Sequence, residues 1–270
     1  MEEILFTMLR TGIAAGDRLL RMQPFTKEIP SQKDFLTKAD TESEMFIVSE
    51  LTKHYPCISA VGEEGKTVLT GRGLEWCIDP LDGSVNYAMQ DDFWGINIAV
   101  LSEGSPTHAV VILPGKKMAF VAMRNAPATV FDLRHLEDLE GMPLRVSRND
   151  DLKHALIWTD HVKQRKHVLP RIFNALSEET RYPQIRLCCA ASLMWVALGI
   201  IDGYVHAAPE PWDIAAPWLI LERAGGHVTD QKGGTYRILD ALPFVASNGI
   251  LHPKLLSAFK KHGVFEEGGL

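Results

Sequence analysis

The stretch Trp76-Cys-Ile-Asp-Pro-Leu-Asp-Gly-Ser84 places two carboxylates, Asp79 and Asp82, in a segment built to turn. Glu75 to Ile78 reads as a buried strand, and Pro80 removes a backbone donor and biases the residue before it away from helix. The strand is therefore expected to end at Asp79, leaving that acid on its carboxyl edge. Leu81 to Ser84 then turns sharply, with Gly83 permitting close backbone approach, and a short helix at Ser84 to Tyr87 opens with free amides that suit a phosphate. Singly, Asp-Pro and Asp-Gly are common turn dipeptides and aspartates often cap helices. A second acidic pair, Glu63-Glu64, follows Gly62 and the apolar run Ile58 to Val61, which puts it at another strand end. Carboxylates gathered at strand ends repel one another unless metal ions neutralise them. Hard oxygen donors at this density suit magnesium, which keeps waters and bridges to phosphate.

Elements to position these acids are legible along the chain. Its 270 residues suffice for a substantial core without staples. Residues 2 to 22 repeat apolar side chains one helical turn apart (Ile4 with Met8, Leu5 with Leu9), so a first helix is expected there. A second is expected to begin near Thr41, where Thr41-Glu-Ser-Glu44 has capping-box spacing, and to stop at Tyr55-Pro56. Short apolar runs at Ile96 to Leu101, Ala109 to Leu113, Met118 to Met123 and Thr129 to Leu133, separated by turn residues, read as an antiparallel meander. Beyond the polar stretch Glu137 to Gly141 the pattern alternates. Strands are expected near Ala155 to Thr159 and Gln184 to Leu187, with helices near Leu169 to Ser177, Ser192 to Ile201 and Asp213 to Ala224. This predicts a layered α/β second half and a division into residues 1–143, carrying most of the acids, and 144–270, carrying Asp213 and the substrate side of the site.

The net charge of -6 comes from interleaved acids and bases, without the long basic stripe of a sequence-independent nucleic-acid binder. The basic segment His161 to His167 reads as solvated surface. Four cysteines without Cys-x-x-Cys spacing argue against a zinc site or a disulfide scaffold, and a reducing cytoplasm is expected. No apolar run approaches membrane-spanning length, so no membrane partner is expected.

Gly62-Glu63-Glu64, then Trp76 to Ser84, then Pro211-Trp-Asp213-Ile-Ala-Ala216 resemble, in order, the signatures of the inositol monophosphatase superfamily. Fructose-1,6-bisphosphatases and bisphosphate nucleotidases belong to the same superfamily. The similarity extends from Asp34-Phe-Leu-Thr-Lys-Ala-Asp40 to Gly225-Gly226 and on to Ala246-Ser-Asn248. The resemblance implies an αβαβα sandwich and magnesium-dependent hydrolysis of a small phosphorylated metabolite. It implies one magnesium on Glu63, Asp79 and the Leu81 carbonyl, a second on Asp79, Asp82 and Asp213, and a third, where present, on Glu63 and waters. Gly83 and Ser84 amides would bind the phosphate, and Asp40 with Ser84 would orient the attacking water, Glu63 completing the catalytic set. Lithium inhibition and a homodimer are also implied.

The substrate side departs from the family pattern. Where relatives acting on inositol phosphates carry an acid seven positions before Asp213, this chain has His206; the usual Gly-Ser or Gly-Thr step falls on Leu187-Cys188, and the glycine after Ile-Ala-Ala is Pro217. Neutral histidine accepts one hydrogen bond, whereas near its pKa it becomes a cationic donor suited to a second phosphate or a carboxylate. The competing reading has His206 simply packing. Cys188-Cys189 reads as buried packing beside a helix. Activity on inositol monophosphate leads, with fructose-1,6-bisphosphatase, histidinol-phosphatase or 3',5'-bisphosphate nucleotidase activity as alternatives and a protein-binding regulatory module as a different class.

Overall fold

The computed structural model describes residues 2–23, 32–65, 68–135, 140–160 and 167–266, with backbone alone over 32–37. The basic segment at 161–166 lies outside them. Helix α1 (Glu3–Met22) turns Leu5, Met8, Leu9, Ala15 and Leu19 inward at helical spacing. Helix α2 (Gln32–His54) begins well before Thr41. The Thr41 to Glu44 pattern is thus interior to a helix, because Lys38 and Ala39 are good helix formers and the Glu44 carboxylate serves another segment, described below.

The first sheet runs in sequence order through β1 (Ser59–Gly62), β2 (Leu74–Asp82), β3 (Gly95–Ser102), β4 (Ser105–Leu113), β5 (Met118–Met123), β6 (Thr129–Asp132) and β7 (Met142–Pro143). All neighbours are antiparallel except β1 and β2, which run parallel. The expected meander is β3 to β6. Alternation sorts the strands' side chains: Trp76, Ile78, Ile96, Ile98, Val110 and Ile112 pack beneath α1 and α2, while Cys77, Ala99, Leu101, Val111 and Phe120 face the opposite way.

The second sheet has the order β11-β12-β10-β8-β9, formed by β8 (Ile157–Thr159), β9 (Gln184–Ile185), β10 (Gly203–His206), β11 (His227–Asp230) and β12 (Phe244–Ser247). Strands β8, β9 and β10 are mutually parallel. Helices α4 (Val168–Glu179) and α7 (His252–Lys261) cover its outer face through Ile157, Val205, Val245, Ile172, Leu176, Leu255 and Phe259. Its inner face presents Trp158, Tyr204 and Phe244 to α5 (Cys189–Ala197) and α6 (Pro211–Arg223), which also meet the first sheet. The layers therefore read α1/α2, sheet, α5/α6, sheet, α4/α7, the αβαβα sandwich. Among the described residues no helix is long and apolar enough to cross a membrane.

Candidate active site

Strand β2 continues through Pro80 to Asp82, past the stop expected at Asp79. Its pairing with β3 is regular up to Asp79 opposite Asn97 and resumes only at Asp82 opposite Gly95, so Pro80 falls in a bulge, where a missing N–H breaks no ladder bond. The bulge is tied from both sides. The Leu81 N–H donates to Asp79 Oδ1 at 3.0 Å, and Ser43 Oγ on α2 donates to the Pro80 carbonyl at 3.0 Å. Gly83 follows in the left-handed region (φ 82°, ψ 37°) and starts α3 (Ser84–Ala88). A Cβ on Gly83 would meet Cys188 Cβ and the Leu187 carbonyl, each at 2.9 Å, so both conformation and space require glycine.

On the α2 side, Asp40 is buried near Glu64 and Glu44. Glu44 Oε2 accepts the Glu64 N–H at 2.8 Å and packs against Gly62, where a Cβ would lie 2.3 Å from that oxygen. This clamp fixes the turn presenting Glu63, and it is the role that replaces the expected capping box. Burial, reinforced by Glu64 and Glu44, pushes Asp40 up to about 7. Glu63 is exposed at the rim of the site, yet desolvation on its inward side, followed by the fields of Asp40 and Asp82, pushes it up to about 8.

On the α5/α6 side, Asp82 accepts the Cys189 N–H at 3.2 Å and the Ala190 N–H at 2.5 Å, so the opening turn of α5 holds it. Those donors pull its pKa down, but burial outweighs them and leaves it at about 6. Cys188 caps α5, its Sγ accepting the Ala191 N–H at 3.4 Å and donating to the Asp82 carbonyl at 3.6 Å. It thus does the work of the serine or threonine usual at that position. Asp213 sits in the first turn of α6 and accepts the Glu210 N–H at 2.8 Å. The helix-start role and membership of the carboxylate cluster coexist: Asp213 is pushed well above the usual range by burial and then by Asp82, Glu63 and Asp160. Asp79, 1% exposed, is raised in the same way by burial and then by Glu63, Asp82 and Asp213.

Glu63, Asp79, Asp82 and Asp213 therefore share one field, while Asp40 extends it through Glu63. Among the described residues none of these four acids is in an ion pair, and no three His, Cys, Asp or Glu side chains close up as a ready ligand set. The donors are all hard oxygens, and buried like charges without a counter-ion are unfavourable unless protonated or neutralised by a cation. Their chemistry fits magnesium. Asn97, fully buried opposite Asp79, adds to this: its Nδ2 lies 3.4 Å from both Asp79 Oδ2 and the Trp212 carbonyl, while its Oδ1 has no donor.

His206 closes β10 on the inner face, 7% exposed, with Phe244 stacked beside it and Nδ1 accepting the Ala208 N–H at 3.3 Å. Burial lowers its pKa to about 4. Burial thus works against the cationic ring considered from sequence, and the bond from Ala208 to Nδ1 leaves the proton of the neutral ring on Nε2. Glu44 and Asn97 are the site residues that sequence reasoning missed. Glu44 carried a local signal that pointed elsewhere, and Asn97 had only its place in β3, opposite Asp79.

Comparison with known proteins agrees with this geometry. The family model described as the inositol monophosphatase family matches residues 2–263. A Pseudomonas aeruginosa protein named Nus factor SuhB is 31% identical over 276 residues, covering 97% of each chain. A chloroplastic phosphatase of Arabidopsis thaliana is 32% identical over 228 residues, covering 83% of this chain and 60% of that one. The solved structure of an inositol monophosphatase from Anabaena superposes with a TM-score of 0.81 at 27% identity, covering 95% of each chain. With the bulged Asp79-Pro-Leu-Asp82 loop, the Gly62-Glu63-Glu64 turn and the Asp213 helix start brought to one place, this chain belongs to the inositol monophosphatase family.

Proposed function

We propose that the chain is a magnesium-dependent phosphomonoesterase that hydrolyses a small phosphorylated metabolite by direct attack of water. The observation that carries this reading is the cluster of Glu63, Asp79, Asp82 and Asp213, in which Asp79 is buried, Asp82 and Asp213 are half-buried and Glu63 faces solvent. Asp82 raises the pKa of the other three, and none of the four is in an ion pair among the described residues. Glu63, Asp79 and the Leu81 carbonyl would hold one magnesium, and Asp79, Asp82 and Asp213 a second, with Asn97 Oδ1 an oxygen to spare. Bound there, the ions lower the pKa of a water and offset charge on the phosphoryl oxygens. Asp40 lies outside both magnesium sets, and burial pushes it up to about 7 in the metal-free chain, so it can accept a proton at working pH, as a base in water attack must. Gly83 and Ser84 present the amides at the start of α3 to the phosphate, and Ser84 Oγ with Asp40 orients the water. Cys77, Cys188 and Cys189 do not compete as nucleophiles, because they are buried and burial raises the pKa of each.

Inositol monophosphate is the leading substrate, ahead of fructose 1,6-bisphosphate, histidinol phosphate and 3',5'-bisphosphorylated nucleotides. Phosphate release from this panel, with magnesium, with chelator and with lithium, tests the reading. Release is expected only with magnesium and is expected to fall with lithium. Release undiminished by chelator would sink it. A homodimer in a reducing cytoplasm completes the proposal; four free cysteines suit that compartment, and light scattering would check the mass. The Nus-factor name of relatives such as the Pseudomonas protein favours a second, regulatory reading. A stoichiometric protein partner captured by a chain that hydrolyses none of the panel would support it instead.

A further inference from the structure

Strands β8, β9 and β10 run parallel, so their carboxyl ends share one edge of the second sheet, and each places a polar residue there. Asp160 follows β8, Arg186 follows β9, and His206 closes β10. Ligands of parallel α/β sheets bind outside this edge. The residues that follow Arg186 are already part of the site. The Leu187 carbonyl accepts the Asn86 amide at 3.1 Å and lies where a Cβ on Gly83 would meet it at 2.9 Å, and Cys189 and Ala190 hold Asp82.

Arg186 is half-buried and braced by aromatic rings, its guanidinium carbon 5.3 Å from the Phe93 centroid and 5.1 Å from that of Trp158. Its Nε is buried without an acceptor. None of the ion pairs among the described residues includes it. Asp160, the acid on that edge, is engaged by the Tyr204 hydroxyl at 2.9 Å. A guanidinium held between two rings with no ion-pair partner among the described residues, three residues before the Cys189 N–H that holds Asp82, is unusual in a chain of net charge -6. Its planar fork matches a carboxylate or a phosphate. The His206 ring on the same edge offers an Nε2–H, a second donor.

We propose that Arg186 is a specificity-determining residue that pairs with a second anionic group, a carboxylate or a further phosphate, on the substrate whose scissile phosphate lies at Gly83 and Ser84. This rests on the phosphatase reading and revises its order of substrates: an ester with two anionic groups takes precedence over inositol monophosphate, whose neutral polyol leaves the Arg186 fork without a charged partner.

The test uses the full chain with magnesium, as wild type, Arg186→Gln and Arg186→Lys, against fructose 1,6-bisphosphate, 3-phosphoglycerate and inositol 1-phosphate. Arg186→Gln is expected to raise KM for at least one of the two-anion esters about tenfold or more, as loss of a charge-assisted bond does. Its kcat, and both constants for inositol 1-phosphate, should stay within about twofold. Arg186→Lys should recover part of the loss, and it keeps a cation on the aromatic rings should the glutamine variant fail to fold. Equal losses on all three esters would assign Arg186 to packing and overturn the proposal. So would a wild type that prefers inositol 1-phosphate to both of the others. Calorimetric binding of the same esters separates the two readings. Arg186-dependent binding of a two-anion ester without phosphate release would remove the phosphatase and leave the role of Arg186. Phosphate release indifferent to Arg186→Gln in both KM and binding would do the reverse.

Discussion

Gly83→Ala adds one methyl group at the turn between Asp82 and α3, and its effect can be worked from two separate terms. The backbone there has φ 82°, and holding a residue with a Cβ in the left-handed region costs roughly 1–2 kcal/mol. The new Cβ would also stand 2.9 Å from Cys188 Cβ and from the Leu187 carbonyl, both in the packed start of α5. Relieving such overpacking costs roughly 1–3 kcal/mol. Together the loss is about 2–5 kcal/mol, or roughly 4–20 °C in melting midpoint at this chain length. Gly73 supplies the control, since it has φ +65° with nothing within 4 Å of its Cβ position. Gly73→Ala carries the backbone term alone, about 1–2 kcal/mol. The contact at Gly83 can relax only by moving the Asp82 turn against α5, and displacements approaching 1 Å at reacting groups lower turnover on the order of a hundredfold. Thermal melts with magnesium present, paired with phosphate-release rates, read both effects. Gly83→Ala is expected to melt below Gly73→Ala and to lose tenfold or more in kcat/KM, while Gly73→Ala keeps its activity. A Gly83→Ala variant that melts with Gly73→Ala and stays fully active would refute the reasoning.

In chelator, stability should fall as pH rises. Asp40 at about 7, Glu63 at about 8 and Asp82 at about 6 all titrate above the unfolded carboxylates, so the folded chain keeps protons that the unfolded chain releases. Their contribution is fully present below about pH 4 and is lost toward pH 8; melts in EDTA should show the decline and magnesium should flatten it, and a midpoint that rises over this range would contradict the cluster's electrostatics. Cys188→Ala removes the α5 cap and should cost about 1 kcal/mol, whereas Cys188→Ser keeps it; equal melting of the two variants would show that the cap is not made. Asn97→Ala removes the amide beside Asp79 and is expected to weaken magnesium binding roughly 10- to 100-fold by calorimetry. Unchanged affinity would relegate Asn97 to packing.

The parts of the fold that repeat a short period were legible in sequence, because β3 to β6 alternate and α1 recurs at helical spacing. Two boundaries were misplaced by local signals that lost to tertiary structure. Thr41 to Glu44 looks like a helix start, yet Glu44 is drawn to a backbone N–H twenty residues away. Pro80 looks like a strand end, yet a bulge accommodates it within β2. The acids of the cluster were legible through the ordered motifs that contain them. Asn97 and Arg186 were not, since each acquires its role from partners distant in the chain: Asp79 and Trp212 for one, Phe93 and Trp158 for the other. Nor does sequence reveal the protonation state of His206, which follows from its burial against Phe244.

The most direct test of the central claim compares phosphate release by wild type and Asp82→Asn with inositol 1-phosphate and fructose 1,6-bisphosphate, with and without magnesium, after circular dichroism shows both chains folded. Asparagine removes the charge and keeps an acceptor for only one of the Cys189 and Ala190 N–H groups, which reach different Asp82 oxygens, so the check of folding is part of the test. Magnesium-dependent release by wild type and its loss in Asp82→Asn is the expected result. Full activity in that variant, or release indifferent to magnesium, would contradict the carboxylate cluster as the catalytic centre.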